Sequence, residues 1–358
     1  MLQEGNRVKA SAKLLLVLAV SLSFAALGGE ARAQVTQLSS CGLTLNSGSY
    51  QLSKNVKNTV NTFCFKLAQP AVTLDLNGFQ ITGTGADSGI VAGVPNVAGF
   101  RIKNGSITNT INAINLPGQA DVKVDNVDVH DNSGLGLSAG DGAVVTNNRF
   151  NNNALGGVIL GKNAKVSGNV AKGNTRAGIQ TDTGSTLSGN TVSGTINTSI
   201  FGQGPLTGDG ILAGDGSNIS GNTSNGNHLG IECSSGCGLY QNVTNGNASV
   251  GILAGVHSTV SGNTTNGNDT GIDAFNAIVT GNGASANQCY GIVVQIFNQE
   301  GALVANNQAT GNNLVGNCAG FSIGCTAFLL QNFASGNNGS DIITSPSGCT
   351  RLNNVPAP

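Results

Sequence analysis

Asp273 and Phe275 occupy alternate positions of one short segment, and Gln295 and Phe297 do the same one repeat later. Alternate residues of an extended chain point to the same side, so a carboxylate, an amide and two aromatic rings would share one outward face. That set suits a sugar, which presents an apolar ring face and a hydroxyl-bearing edge. His257 falls in phase with Phe297 two repeats earlier, Glu232 supplies a further carboxylate, and Tyr290 lies beside Gly291. Glu232, His257, Asp273, Phe275, Gln295 and Phe297 are therefore the candidate substrate-binding residues. The stretch from Thr195 to Gly208, which interrupts the repeat, would wall such a groove. The competing reading is a decorated strand face with no ligand.

A repeat must position these side chains. Gly-Ile or Gly-Val, a short strand, a turn, then an asparagine and a second asparagine recur about every 21 residues. The opening glycines are Gly157, Gly178, Gly210, Gly230, Gly251, Gly271 and Gly291; the middle asparagines run from Asn169 to Asn282, the closing ones from Asn174 to Asn312. Each segment between turn residues is too short for an ordinary helix and alternates apolar with polar. Gly, Asn, Ser and Thr separate the segments. Short strands joined by sharp corners at this period describe one coil of a parallel β-helix. Ile179, Ile211, Ile231, Ile252, Ile272 and Ile292 should then stack in one inward column. The asparagines are expected at the corners, where their side chains tolerate left-handed backbone angles and bond to the same residue one coil away. In-register strands lie roughly 4.8 Å apart, which permits such a ladder.

The expected organisation is a leader over 1–33, an N-terminal cap over 34–70, a single β-helix over 71–343 and a closing tail over 344–358. The helix reads as roughly a dozen coils, starting with Ala71-Val72-Thr73-Leu74-Asp75-Leu76-Asn77-Gly78-Phe79. The open ends of such a stack expose strand edges that need covering.

Gly-Ile-x-x-Gly followed by Val-Ser-Gly-Asn and Gly-Asn resembles the right-handed parallel β-helix repeat proteins of the pectin-lyase-like superfamily. Thr73 to Gly78 resembles their first coil, and Gly230-Ile231-Glu232-Cys233-Ser234-Ser235-Gly236-Cys237 resembles a coil variant of exported members. The resemblance implies an all-β, single-stranded right-handed solenoid. It leaves activity open, because the superfamily holds lyases, hydrolases, epimerases and adhesins.

The enzyme motifs of that superfamily are incomplete here. A lyase of this kind uses calcium held by carboxylates and an Arg or Lys base, and the base must reach its proton. From Ala177 to Thr350 there is no Lys or Arg, which leaves His228 and His257 as bases. Asp182, Glu232 and Asp273 read as successive outward carboxylates two coils apart, roughly 9–10 Å, too far to share one calcium directly. Arg101-Ile102-Lys103 spells a polygalacturonase tripeptide without the preceding acidic and Gly-His-Gly motifs. Asp128-Val129-His130-Asp131 resembles the Asp-Pro-His-Asp of mannuronan epimerases but lacks proline and ends a late strand. No cofactor is expected, and copper delivery would need His, Met or free Cys, whereas the single Met is the initiator.

Composition sets the compartment. Arg7, Lys9 and Lys13 precede an apolar run from Leu14 to Leu27, and Ala31-Arg32-Ala33 offers a small-x-small cleavage site. This predicts a secretory signal peptide, the run being too short to span a bilayer. All eight cysteines follow it, as disulfides of an exported chain would. Repeat phase places Cys289 and Cys318 equivalently before Gly291 and Gly320, so they should bridge neighbouring coils. Cys233–Cys237 would then close one corner, leaving Cys41–Cys64 and Cys325–Cys349. The acidic C-terminal half is a poor partner for nucleic acid or an anionic membrane. The expectation is a secreted, periplasmic or cell-surface β-helix protein whose partner is a polysaccharide, with no recognisable catalytic set. A divergent lyase or glycoside hydrolase, and a structural or adhesive surface protein, are the alternatives.

Overall fold

Alternation along each short segment buries every second side chain, and the repeat stacks those buried positions. The computed structural model describes residues 34–59, 62–196, 208–298, 300–314, 316, 318–346 and 349–356. The expected leader over 1–33 and most of the expected insertion, 197–207, lie outside the described residues. Every regular element among the described residues is a β-strand, divided between a 14-stranded and a 27-stranded sheet. A typical coil gives one five-residue strand to the smaller sheet, such as Val250–Ala254, and two three-residue strands to the larger, such as Thr259–Ser261 and Thr264–Asn266. All pairings with the next coil are parallel and in register.

The isoleucine column forms as expected. Ile179 pairs with Ile211, then Ile231, Ile252, Ile272 and Ile292 follow rung by rung. It continues through Val158, Leu137, Ile114, Ile90 and Phe65 in one direction and Phe321 in the other. All six isoleucines are fully buried. Each contributes about 1.5–3 kcal/mol of apolar burial, so the core is a continuous line rather than a central cluster.

The opening glycine of each repeat has a steric cause. A Cβ on Gly251 would meet the Gly271 carbonyl oxygen at 2.6 Å, and one on Gly230 would meet that of Gly251 at 2.3 Å. Only glycine lets successive coils approach so closely at that point of the strand.

Two asparagine ladders run along the stack. In the first, Asn148, Asn169, Asn190, Asn222, Asn242, Asn263, Asn282, Asn307 and Asn332 are all buried. From Asn169 onward each amide oxygen accepts the backbone and side-chain nitrogens of the preceding rung, as Asn190 does for Asn169, while the amide nitrogen donates to a core-strand carbonyl. The second ladder, through Asn227, Asn247, Asn268, Asn287 and Asn312, repeats the pattern. Thr195 takes one of its rungs: its backbone nitrogen still donates to Asn227. One expectation is corrected. Left-handed geometry falls not on the ladder asparagine but on the residue before it, as at Gly168 (φ 65°), Gly262 (φ 67°) and Asn147 (φ 57°). The ladder residue thereby keeps its side chain turned inward while its predecessor makes the bend.

The stack runs to about 14 turns, one for each strand of the smaller sheet. Leu43 pairs with Phe65 and Gly48 with Val72, so strands within the segment assigned to the cap already extend both sheets. At the other end Ile342 follows Phe321 and Thr350 follows Phe328. These outer coils lack the Gly-Ile and Gly-Asn signature by which the repeat is recognised.

All four disulfides pair as expected: Cys289–Cys318 from the repeat phase, Cys233–Cys237 across one corner, and Cys41–Cys64 and Cys325–Cys349 as the remaining pairs. No cysteine is free.

Candidate functional site

The outer face of the smaller sheet carries the candidate set. One outward column reads Gln180, Leu212, Glu232, Leu253, Asp273, Val293 from coil to coil. Glu232 thus lies between Leu212 and Leu253, and Asp273 between Leu253 and Val293. Partial burial among these neighbours raises both carboxyls above their ordinary values, opposed at Asp273 by a hydrogen bond from Gln295. Asp182 departs from the expected series. It sits in the corner beyond its strand, where the backbone and hydroxyl of Thr183 donate to its carboxylate and lower its pKa. The outward position of that coil belongs to Gln180.

Gln295 aligns with Phe275 rather than with Asp273. Its amide reaches diagonally and donates to both Asp273 oxygens, at 3.0 and 3.2 Å. Just beyond, the rings of Phe275 and Phe297 stack with centroids 5.5 Å apart and planes 22° from parallel. Phe297 is 48% exposed, so one ring shields the other while its own outer side faces solvent. The structure therefore brings together Asp273, Gln295, Phe275 and Phe297.

Two residues outside the expected set hold this end of the site. Asn276 receives the Phe297 backbone nitrogen at 2.7 Å and donates to the Phe297 carbonyl at 3.2 Å and to Glu300 at 2.8 Å. His257 Nε2 lies 2.9 Å from the same Glu300 carboxylate oxygen, and its backbone nitrogen bonds to the Asn276 carbonyl. Asn276 thus clamps the corner that carries Phe297, and Glu300 links it to His257. The sequence signal for Asn276 is its place just after Phe275, where neighbouring repeats have no amide. Glu232 stands apart, two rungs from Asp273, and Tyr290 precedes its strand at the end opposite Phe297.

The other motifs fall on the larger sheet. Ile102 is core, Arg101 is exposed and Lys103 pairs with Asp75 at 3.1 Å, which makes Arg101-Ile102-Lys103 an ordinary strand. His130 Nδ1 lies 2.8 Å from Asp131, whose pKa is lowered by that contact and by Asn152. Asp128 lies 3.9 Å from Arg149. Asp128 and Arg149 line a cleft of about 580 Å³ together with Asn77, Asn104, Asn126 and Asn147. Among the described residues, no three His, Cys, Asp or Glu side chains converge as a metal site would require.

Coil geometry, ladders and outward columns define a right-handed parallel β-helix protein. Residues 40–197 match the family model described as a right handed beta helix region. Among solved structures, the periplasmic alginate epimerase AlgG is similar, with a TM-score of 0.55 at 14% identity over 89% of this chain and 85% of that chain. An aspartate-to-alanine mutant of the same enzyme gives a TM-score of 0.56 at 14% identity with the same coverage. The fold is therefore that of the right-handed parallel β-helices. No curated protein matches the sequence significantly.

Proposed function

We propose that this protein is exported and binds an extracellular or cell-envelope polysaccharide along the outer face of its smaller sheet. The observation that carries the reading is the juxtaposition of the Asp273–Gln295 pair with the exposed, stacked ring of Phe297. The ring offers a platform for the apolar face of a sugar, and the acid–amide pair accepts and donates to its hydroxyls. The fold supports the substrate class, since a similar solved structure is an alginate epimerase. The four disulfides support export. A glycan-array screen followed by calorimetry on wild type and the Phe275→Ala/Phe297→Ala double variant tests the site. Both rings lie outside the core, so the variant should melt near wild type and lose binding. Unchanged affinity would refute the site.

A second reading rests on Glu232 and Asp273. Two half-buried carboxyls in one column, two strand spacings or roughly 9.6 Å apart, approach the separation of about 6.5–9.5 Å used by inverting glycosidases. In that reading the face hydrolyses its glycan, and Glu232→Gln and Asp273→Asn each abolish reducing-end release. Wild type that binds glycan but releases neither reducing ends nor unsaturated products dismisses it.

A further inference from the structure

On the larger sheet, the first strand of each coil presents two outward positions. Along most of the stack they are polar or small: Lys165 and Ser167, Thr186 and Ser188, Asn218 and Ser220, then Gly238 and Tyr240, then Thr259 and Ser261, with Tyr240 the one large ring among them. The fold itself therefore does not require apolar residues there. From the strand Ile278–Thr280 onward the face changes. Ile278, Leu303 and Phe328 follow one another on consecutive rungs, and Leu330 and Leu352 stand beside them. Ile278 is 46%, Leu303 37%, Phe328 60% and Leu352 59% exposed. The four strands carry one charged side chain, Arg351, which follows the inward column of Val304 and Leu329 and donates to Thr344.

We propose that this face packs against the same face of a second copy of the chain. A phenylalanine offers roughly 150–250 Å², so Phe328 with the three exposed aliphatic side chains supplies on the order of 400 Å² of apolar surface. That is the size of the largest patches found on monomers and a sufficient core for about 800 Å² buried per partner with a polar rim. A two-fold axis would place each patch on its own equivalent. Arg351, at the outermost of the four strands, is the only charge on them to oppose that arrangement, and two flat sheets can interdigitate at about 10 Å. An anionic surface is a poor occupant, because no lysine or arginine lies between Ala177 and Thr350.

The test is sedimentation velocity of the disulfide-intact protein across a concentration series, with the triple variant Ile278→Thr/Leu303→Thr/Phe328→Thr. The variant copies the threonine that the same column carries at Thr259, so it removes no core atoms; a melting curve verifies the fold, and Leu303→Thr alone serves should the triple variant misfold. A wild-type dimer whose dissociation constant rises about 100-fold in the folded variant is the expected result. A wild type that stays monomeric at about 100 μM overturns the proposal, as does a dimer unaffected by the substitutions. Protection of residues 278–330 from hydrogen exchange by added glycan in a monomeric protein also overturns it, and assigns the face to polysaccharide.

Discussion

The side-chain oxygen of Asn263 accepts two hydrogen bonds from Asn242, one from its backbone nitrogen at 2.8 Å and one from its amide at 3.0 Å. The Asn263 amide donates in turn to the Leu239 carbonyl at 2.9 Å and to Asn282 at 2.9 Å. One buried side chain thus satisfies groups on three successive coils.

Replacing Asn263 with alanine leaves the Asn242 backbone nitrogen and the Leu239 carbonyl buried without these partners. An unsatisfied buried group costs about 1–3 kcal/mol, so Asn263→Ala should destabilise by about 2–4 kcal/mol in urea unfolding. Asn263→Asp should be at least as severe, since a carboxylate cannot donate to Leu239. A loss within about 0.5 kcal/mol, the range of a surface substitution, would show that the ladder is dispensable.

Ile252→Ala should cost about 2–5 kcal/mol, the usual range for emptying a packed aliphatic site. In a solenoid each coil touches only its neighbours. Hydrogen exchange should therefore quicken mainly in the strands holding Ile231, Ile252 and Ile272. Uniform quickening across the stack would contradict that local coupling.

The Cys325–Cys349 bridge joins neighbouring coils across 24 residues. A cross-link of that size stabilises by about 3 kcal/mol through the entropy of the unfolded chain. Cys325→Ser/Cys349→Ser should render the segment after Phe321 the first to be cleaved in limited proteolysis, with the central coils intact. Cleavage that begins instead near Ile179 would mean that the bridge holds nothing locally.

Glu232 and Asp273 carry a pH signature. Burial raises both carboxyls above ordinary values of 4.5 and 3.8. A raised carboxyl favours the folded state while protonated; that contribution is present below the unfolded value and is lost as pH rises through the folded one. Glu232→Gln and Asp273→Asn should thus raise the melting temperature at pH 7 and leave it nearly unchanged near pH 3. Each gain should stay under about 1 kcal/mol, because both groups remain partly in water. Lower melting temperatures at pH 7 would mean that the ionised forms are favourably paired.

The stack was legible wherever the period repeats closely. Gly-Ile phased the inward column, and the phase paired Cys289 with Cys318. The outer coils were not, since Leu43 and Phe65 continue the inward column without the Gly-Ile and Gly-Asn pairs that mark the period. The site was legible in part. Alternation placed Asp273 and Phe275 outward, but single-residue phasing could not show that Gln295 aligns with Phe275, nor that Asp182 lies past the strand end. Asn276 and Glu300 meet through a corner whose path depends on three dimensions. The apolar run at Ile278, Leu303 and Phe328 is hidden in the sequence because each lies in a different repeat and looks ordinary alone.

Asn190 and Asn222 join as adjacent rungs although 32 residues separate them, whereas Asn263 and Asn282 are joined across 19. The ladder counts turns of the spiral, not residues. Extra chain between Ile196 and Asp209 leaves the register of everything downstream untouched, so a foreign loop grafted there should shift no later rung. Any alignment that scores this protein by constant spacing will slip phase at the same place.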